Sequence, residues 1–452
     1  MGFLDIFFER KEQPQSQPVK TKALNQPLFN IIGNGGVNWL NDNSQTYIVN
    51  GYQGNPIVYS IIKLITDKLS SVPFYLYEVK NGQKLKSYKA LGLNGNLVSS
   101  KALITKEQSL KEVESHPILS LLDRPNPEQS FSDFLKNAIG YKLITGNSYI
   151  FGSRVGFGKN TGKVVGLSVL PSQLMNIVGD NNGVNYYNIS GSNTRIEKED
   201  ILHLKYWNPN YNAGLQVYGQ SPLLAGLKIM DLNAAAIQSQ AEIVANKGAN
   251  GMVYDELGAL DDEQLKSLKE GFKNAAYNEL MMVSSKLGYV QFGLPAQDLQ
   301  ILSTMNLNLQ QLCNLYNVPS LLLGNSDDKT YSNFEQAEKS LIYNVLVPEL
   351  TALRDSLNNW LLPAYSNADG KQYFIDFDIS VLPQLAADMD KLVAQLDKQW
   401  WLTPNEKRAA VMYSELPDAN LDKIYIPQNL IPIDEQTLNI NTDNLDTSDY
   451  NN

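Results

Sequence analysis

Apolar positions along this chain follow two periods, one near 3.6 residues in long segments and one of 2 in short segments, and the mixture predicts an α+β fold. In NPIVYSIIKLITDKLSSVPFYLYEV, Ile57, Ile61, Leu64, Ile65 and Leu69 mark one helical face. Ser71-Val72-Pro73 breaks that helix before the strand PFYLYEV. After a polar insertion near residues 84–110, Leu119, Leu121 and Leu122 lead into a turn at RPNP. Ser130, Ser132 or Asp133 caps a helix from about Phe131 to Leu143, and Gly146-Asn147 turns it into the strand SYIFGSR. Strands continue through VVGLSVLPSQLMNIVGD, NNGVNYYNIS and EDILHLKYW, separated by Asn-Gly and Gly-Ser turns.

The second half is more helical. A long helix runs over residues 221–247, with Pro222 early in it and Lys247-Gly248 ending it. Residues 249–297 hold the strand GMVY, a helix starting at Asp261 and strands around ELMMVSS and LGYVQFG. A further helical segment leads to the polar loop GNSDDKTYSN, and Ser332 with Glu335 fits a capping box for the helix beyond it. Phe334, Ala337, Leu341 and Val345, then Leu350, Leu353, Leu357 and Trp360, recur at helical spacing in two phases divided by Pro348. An interior Pro removes one hydrogen bond and clashes with the preceding turn, so a kinked helix is expected. KQYFIDFDISVLPQL reads as a strand, followed by two helices joined at LTPNE. Thr403, Pro404 and Glu406 form a strong start for the second.

With 452 residues the chain is long enough for more than one domain, and 43 % apolar with 19 % charged residues excludes wholesale disorder. The 37 Lys and Arg against 47 Asp and Glu give a net charge of −10. Proteins that grip DNA by its phosphates are normally basic, so any DNA here meets a surface that mostly repels it. No apolar run reaches the length of a membrane span, and MGFLDIFFERKEQ lacks the apolar core of a signal peptide, which predicts a soluble chain that is not secreted. Cys313 sits in an apolar-periodic helix and is expected as a buried, inert thiol. His116 and His203 are the only histidines, so neither a zinc site nor a Cys–His dyad is expected. No GxxxxGK[ST] loop occurs, and GSRVGFGKNTGKVVG reads as a hairpin turn. Asp376 and Asp378 share one strand face and are read as an exposed polar edge in preference to a metal pair. His203 on an alternating strand is read as a hydrogen-bonded structural residue.

Several segments together resemble the portal proteins of tailed bacteriophages: HPILSLLDRPNPEQSFSDFLKNAIGYKLITGNSYI, LSVLPSQLMNIV, EDILHLKYW, GQSP, NVPSLLLG followed by YSNFEQ, and LTPNEKR. Trp401 departs from the small residue expected in the last of these. The resemblance implies the portal fold: a mixed α/β wing, paired stem helices, a small α/β clip, a kinked tunnel helix and a helical crown. On that plan residues 1–45 are a flexible N-terminal arm, 46–220 the wing, 221–248 a stem helix, 249–297 the clip and 298–319 the second stem helix. The tunnel loop is 320–333, the kinked helix with a return strand 334–380, the crown 381–432, and 433–452 a disordered acidic tail.

The same resemblance implies a non-enzymatic ring of twelve copies in the virion, at the capsid portal vertex, assembled in the host cytoplasm. It implies as partners the major capsid protein, the terminase large subunit, a head–tail adaptor and transiently bound double-stranded DNA, with no cofactor, metal or membrane. A ring-forming tail or head–tail adaptor is the alternative, and a metal-dependent nuclease a more distant one. Asn325, Asp327, Asp328, Lys329, Tyr331 and Asn333 of the tunnel loop are expected to line the DNA path. Lys329 is the one cation between Gly324 and Asn333, and Asp327 and Asp328 stand beside it, so contacts to phosphate there are weak and locally compensated.

Overall fold

The helix Pro56–Ser70 is the element around which the largest core forms. Asn55 caps it, its side-chain oxygen accepting from the amides of Ile57 and Val58 at 3.0 and 3.2 Å, and Pro56 takes the first position, where its missing N–H is harmless. Val58, Ile61, Ile62, Ile65 and Leu69 are buried on one face, against the helix Phe131–Thr145 with its buried Phe134, Leu135, Ala138, Ile139 and Leu143. Each such side chain taken out of water contributes about 1.5–3 kcal/mol before conformational entropy is subtracted. The computed structural model describes residues 29–31, 37–39 and, with interruptions, 44–425; the interruptions are 94–98, 157–160, 181–182, 193, 211–215, 246–250, 256–260, most of 262–286, 292–300, 325–329, 412 and 414–415.

Among the described residues, four antiparallel sheets surround or leave this core. One has the order β13 (Tyr373–Phe377), β3 (Phe74–Val79), β4 (Leu110–Glu112), so a strand from late in the chain closes onto the first strong one. The second is β10 (Ile201–Lys205), β5 (Asn147–Arg154), β6 (Val164–Leu170). The third runs β1 (Phe29–Ile31), β2 (Val37–Trp39), β7 (Met175–Asp180), β8 (Gly183–Ile189), β9 (Arg195–Glu197). Two short strands inside the segment read as an arm therefore pair with the body, Trp39 opposite Ile177. The fourth is the two-stranded β11 (Gly251–Asp255) and β12 (Leu287–Gln291).

The helices Leu223–Ala245 and Ile301–Leu315 pack on each other, leaving for and returning from the β11–β12 pair. The polar stretch near residues 84–110 is itself mostly helical, Gly82–Leu93 and Ser100–Ser109, the second capped by Ser99. Helices Ala386–Asp397 and Pro404–Ala410 follow β13, the latter with the full Thr403–Glu406 capping box expected from LTPNE. The helix expected from Asp261, the strand at ELMMVSS and the acidic tail lie largely outside the described residues.

Candidate channel loop and its supports

The polar loop is held between two rooted ends. On its N-terminal side, Leu312 and Cys313 are fully buried, and burial pushes the Cys313 thiol up to about 11, which makes it inert as expected. The Tyr316 hydroxyl donates to the Leu143 carbonyl at 3.1 Å, and the Val318 amide closes back on Cys313 at 3.0 Å. Asn317 takes the left-handed conformation, φ 54°, that Asn tolerates better than most residues. A single 3-10 turn, Ser320–Leu323, ends at Gly324, whose φ of 100° only glycine adopts without strain. Leu322 and Leu323 pack against the large core.

On the far side the helix Tyr331–Leu341 is capped by Thr330, whose hydroxyl accepts from the Asn333 amide at 3.3 Å. This corrects the expected cap at Ser332: the helix begins earlier, where the Thr330 hydroxyl takes the capping position, and Glu335 pairs along the helix with Lys339 at 3.2 Å instead. Ala337, Leu341, Val345, Leu350, Leu353 and Leu357 form the expected buried stripe, whereas Phe334 is 42 % exposed. The expected break at Pro348 takes a specific form. A π-helical turn, Ile342–Leu346, precedes the helix Val347–Trp360, so the missing Pro348 N–H falls where the ladder has already been reset.

Among the described residues, ionic contacts at Glu338, Glu349 and Arg354 moor this broken helix to the body. Glu338 accepts from Lys68 at 3.2 Å and from Gln384 at 3.1 Å. Glu349 takes Lys142 at 2.7 Å on one oxygen and the Tyr206 hydroxyl at 2.7 Å on the other, with the Lys142 ammonium 4.5 Å from the Tyr206 ring centre. Burial, reinforced by Glu349, holds the Tyr206 phenol well above its ordinary range. Deepest is Asp376, 1 % exposed, which receives Tyr88 at 2.7 Å, Arg354 at 3.2 Å and Lys106 at 3.4 Å. Burial pulls the Lys106 ammonium down, but Asp376, Tyr88 and Tyr77 outweigh it and keep that group charged above lysine's usual range. Asp376 is thus not on an exposed polar edge. It sits on an edge strand, but the helices Gly82–Leu93, Ser100–Ser109 and Val347–Trp360 supply Tyr88, Lys106 and Arg354 to cover it.

The two motif segments GNSYI and GQSP meet in space. Asn147 is buried at the junction: its amide group donates to the carbonyls of Thr145 and Gly219, and its oxygen accepts from the Gly219 amide at 2.6 Å and from His203 Nε2 at 3.0 Å. A Cβ on Gly219 would stand 2.1 Å from the Gly146 carbonyl oxygen, so the crossing needs glycine. The Ser221 hydroxyl completes the crossing by donating to the Ile144 carbonyl and accepting from the Leu223 amide. His203 stacks on Tyr149 at 4.4 Å, and burial, with Lys205 nearby, lowers its pKa to about 3, so it is the neutral structural residue expected. The RPNP turn is tied down in the same manner, Asn126 donating to Leu167 at 3.0 Å.

Of the six residues expected along the DNA path, Asn325, Asp327, Asp328 and Lys329 lie outside the described residues. Tyr331 opens the helix by its backbone, and Asn333 is exposed in the first turn. The supports at Glu338, Glu349 and Asp376 escaped sequence reasoning because their partners are far away in the chain. Among the described residues, no group of three or more His, Cys, Asp or Glu is placed to hold a metal ion, and no helix is long and apolar enough to cross a membrane.

The fold is one also found in a chain of a gene transfer agent neck. A chain from the neck of a native gene transfer agent particle, computed with C12 symmetry, superposes with a TM-score of 0.60 at 23 % identity, over 84 % of this chain and 95 % of that one. The chain belongs to the phage portal protein family, whose sequence model matches residues 95–411. It is 28 % identical over 378 residues to an uncharacterised protein of Rickettsia felis, covering 80 % of this chain and 88 % of the relative. It is 22 % identical over 319 residues to the portal protein of Escherichia phage T5, covering 68 % and 73 %.

Proposed function

We propose that this portal protein closes into a ring of twelve copies at one capsid vertex and that double-stranded DNA passes through its lumen during packaging and ejection. The observation that carries the reading is the rooting of the polar loop. A short segment rich in Asn, Asp and Ser joins Gly324 to Thr330, both ends are fixed on core-packed elements, and the family match spans the whole arrangement. The C12 symmetry of the neck particle that it resembles supports twelve copies.

In this reading 46–220 is the wing, 221–248 and 298–319 the stem, 249–297 the clip, 320–333 the tunnel loop, 334–380 the kinked helix and return strand, and 381–432 the crown. The clip, carried at the end of the paired helices, docks the terminase large subunit during packaging and the head–tail adaptor afterwards, while the wing faces the major capsid protein. A net charge of −10 suits a conduit, because every strong cation–phosphate contact would have to be broken at each step of DNA movement. Lys329, beside Asp327 and Asp328, offers only a weak, compensated contact. The Lys329→Ala ring should assemble like the parent and change packaging efficiency or DNA retention. Parent-like packaging, with a chemical probe finding the loop on the outside of the ring, would remove the loop from the channel.

A further inference from the structure

The sheet β13, β3, β4 ends in an edge that is open over two residues. The Lys80 amide bonds the Ser109 carbonyl and the Val113 amide bonds the Leu76 carbonyl, so residues 109, 111 and 113 turn their backbone groups toward β3 and residues 110 and 112 turn theirs outward. The Leu110 amide is already engaged by the Lys106 carbonyl at the end of the helix Ser100–Ser109. The Leu110 carbonyl and both backbone groups of Glu112 remain, without a partner among the described residues. This edge opens on a groove of about 570 Å³ walled by Tyr75, Tyr77, Leu103 and Tyr413. Lys111 and Glu112 stand exposed at its rim, and neither has an ion-pair partner among the described residues. An open edge of this kind is a template for one more strand.

The free groups also set the direction of that strand. Parallel pairing needs an acceptor from residue 110 and a donor from residue 112, flanking one residue of the newcomer, and both are free; an antiparallel bonded pair at Leu110 would need its engaged amide. Side chains then alternate, Leu110 and Glu112 lying on the face of Tyr77 and Lys111 on the face of Glu78. A complementary occupant presents, in order, an apolar, an acidic and a basic residue. Phe8, Glu9 and Arg10 have that order, in a segment that lies outside the described residues. The other end of the chain, residues 426–452, holds no Lys or Arg and cannot answer Glu112.

We propose that Phe8, Glu9 and Arg10 add to β4 of their own chain as a parallel strand. The Glu9 amide donates to the Leu110 carbonyl and the Glu112 amide donates to the Glu9 carbonyl. Phe8 then lies beside Leu110 in the aromatic groove, Glu9 beside Lys111 and Arg10 beside Glu112, so each neighbouring pair is apolar or of opposite charge. Seventeen residues separate Lys11 from Phe29, the first described residue, and such a link spans up to about 60 Å, against a radius of gyration of about 22 Å for a compact chain of this length. The link holds the segment at high local concentration near its own groove, which favours the same copy over another. Once docked, the segment covers an edge that would otherwise be open to pairing with other chains.

Disulfide trapping in the full chain tests this. Cys313 is buried and does not compete. Under mild oxidation Glu9→Cys with Lys111→Cys should form a bond within one chain at least about tenfold faster than Gln15→Cys with Lys111→Cys, which has the same tether without the register. In the faster background Glu112→Arg should slow the bond about fivefold by facing Arg10 with a like charge, and adding Arg10→Glu should restore the rate. All the substituted positions in the groove are exposed, so the fold is kept. Equal rates for positions 9 and 15, a bond that joins two chains, or indifference to the charge exchange would each overturn the docking. The readout is a bond within one chain, so it stands apart from any result on DNA passage.

Discussion

Replacing Asp376 by Asn keeps the side chain's shape and removes its charge at the deepest ionic contact of the protein. In the parent, one carboxylate answers Arg354, which is 1 % exposed, and Lys106, whose side chain is 11 % exposed, and also receives the Tyr88 hydroxyl. Without that charge, Arg354 retains only the half-exposed Asp355 at 3.0 Å as a carboxylate partner, and Lys106 keeps the face of Tyr77 at 4.9 Å. Breaking a buried pair from one side costs about 3–5 kcal/mol, because the remaining charge stays out of water without compensation. The loss should sit at the low end of that range, since Asn still accepts from Tyr88 and Asp355 still serves Arg354. A control is Glu197→Gln, which removes the surface partner of Arg195, both more than half exposed, and should change stability by less than about 1 kcal/mol. Urea unfolding followed by tryptophan fluorescence is the assay, because Trp360 ends the helix that carries Arg354. An Asp376→Asn variant no less stable than Glu197→Gln would refute the view that this cluster holds the broken helix in place.

Two further outcomes concern the junction of the motif segments. His203 binds its proton near pH 6.5 when unfolded but only near pH 3 when folded, so the unfolded state holds more protons in between and stability falls as pH drops from about 6.5 toward about 3. His203→Gln should flatten that part of the stability profile relative to the parent, and an unchanged acid slope would contradict the assignment. Asn147→Ala abandons the Gly219 amide and carbonyl inside the fold and should lower stability by at least about 2 kcal/mol in thermal unfolding; a loss below about 0.5 kcal/mol would show that the hub is dispensable.

Much of this arrangement could be read from local sequence, because local rules settle it. Asn147, Gly219 and Ser221 stood out as motif letters, and Thr403-Pro404-Glu406 announced its helix through groups only three residues apart. The stripe from Ala337 to Leu357 was legible for the same reason, as a period. What periodicity does not carry is the partner of a charged group. Asp376 looked like a solvated edge because Tyr88, Lys106 and Arg354 reach it from three separate helices, one of them 288 residues away. The residues near 84–110 read as a polar insertion because their helices bury little apolar surface, with Tyr88, Ala102 and Leu103 facing inward among lysines and serines. At the loop, the sequence pointed to Ser332, and the backbone placed the cap two residues earlier, at Thr330.

Electron microscopy of the purified full chain bears most directly on the channel. A closed ring of twelve copies is expected, with residues 324–333 lining a central opening wide enough for a DNA duplex. A chain that stays monomeric over a wide concentration range, including with capsid protein present, or a ring that carries those residues on its outer surface, would contradict it.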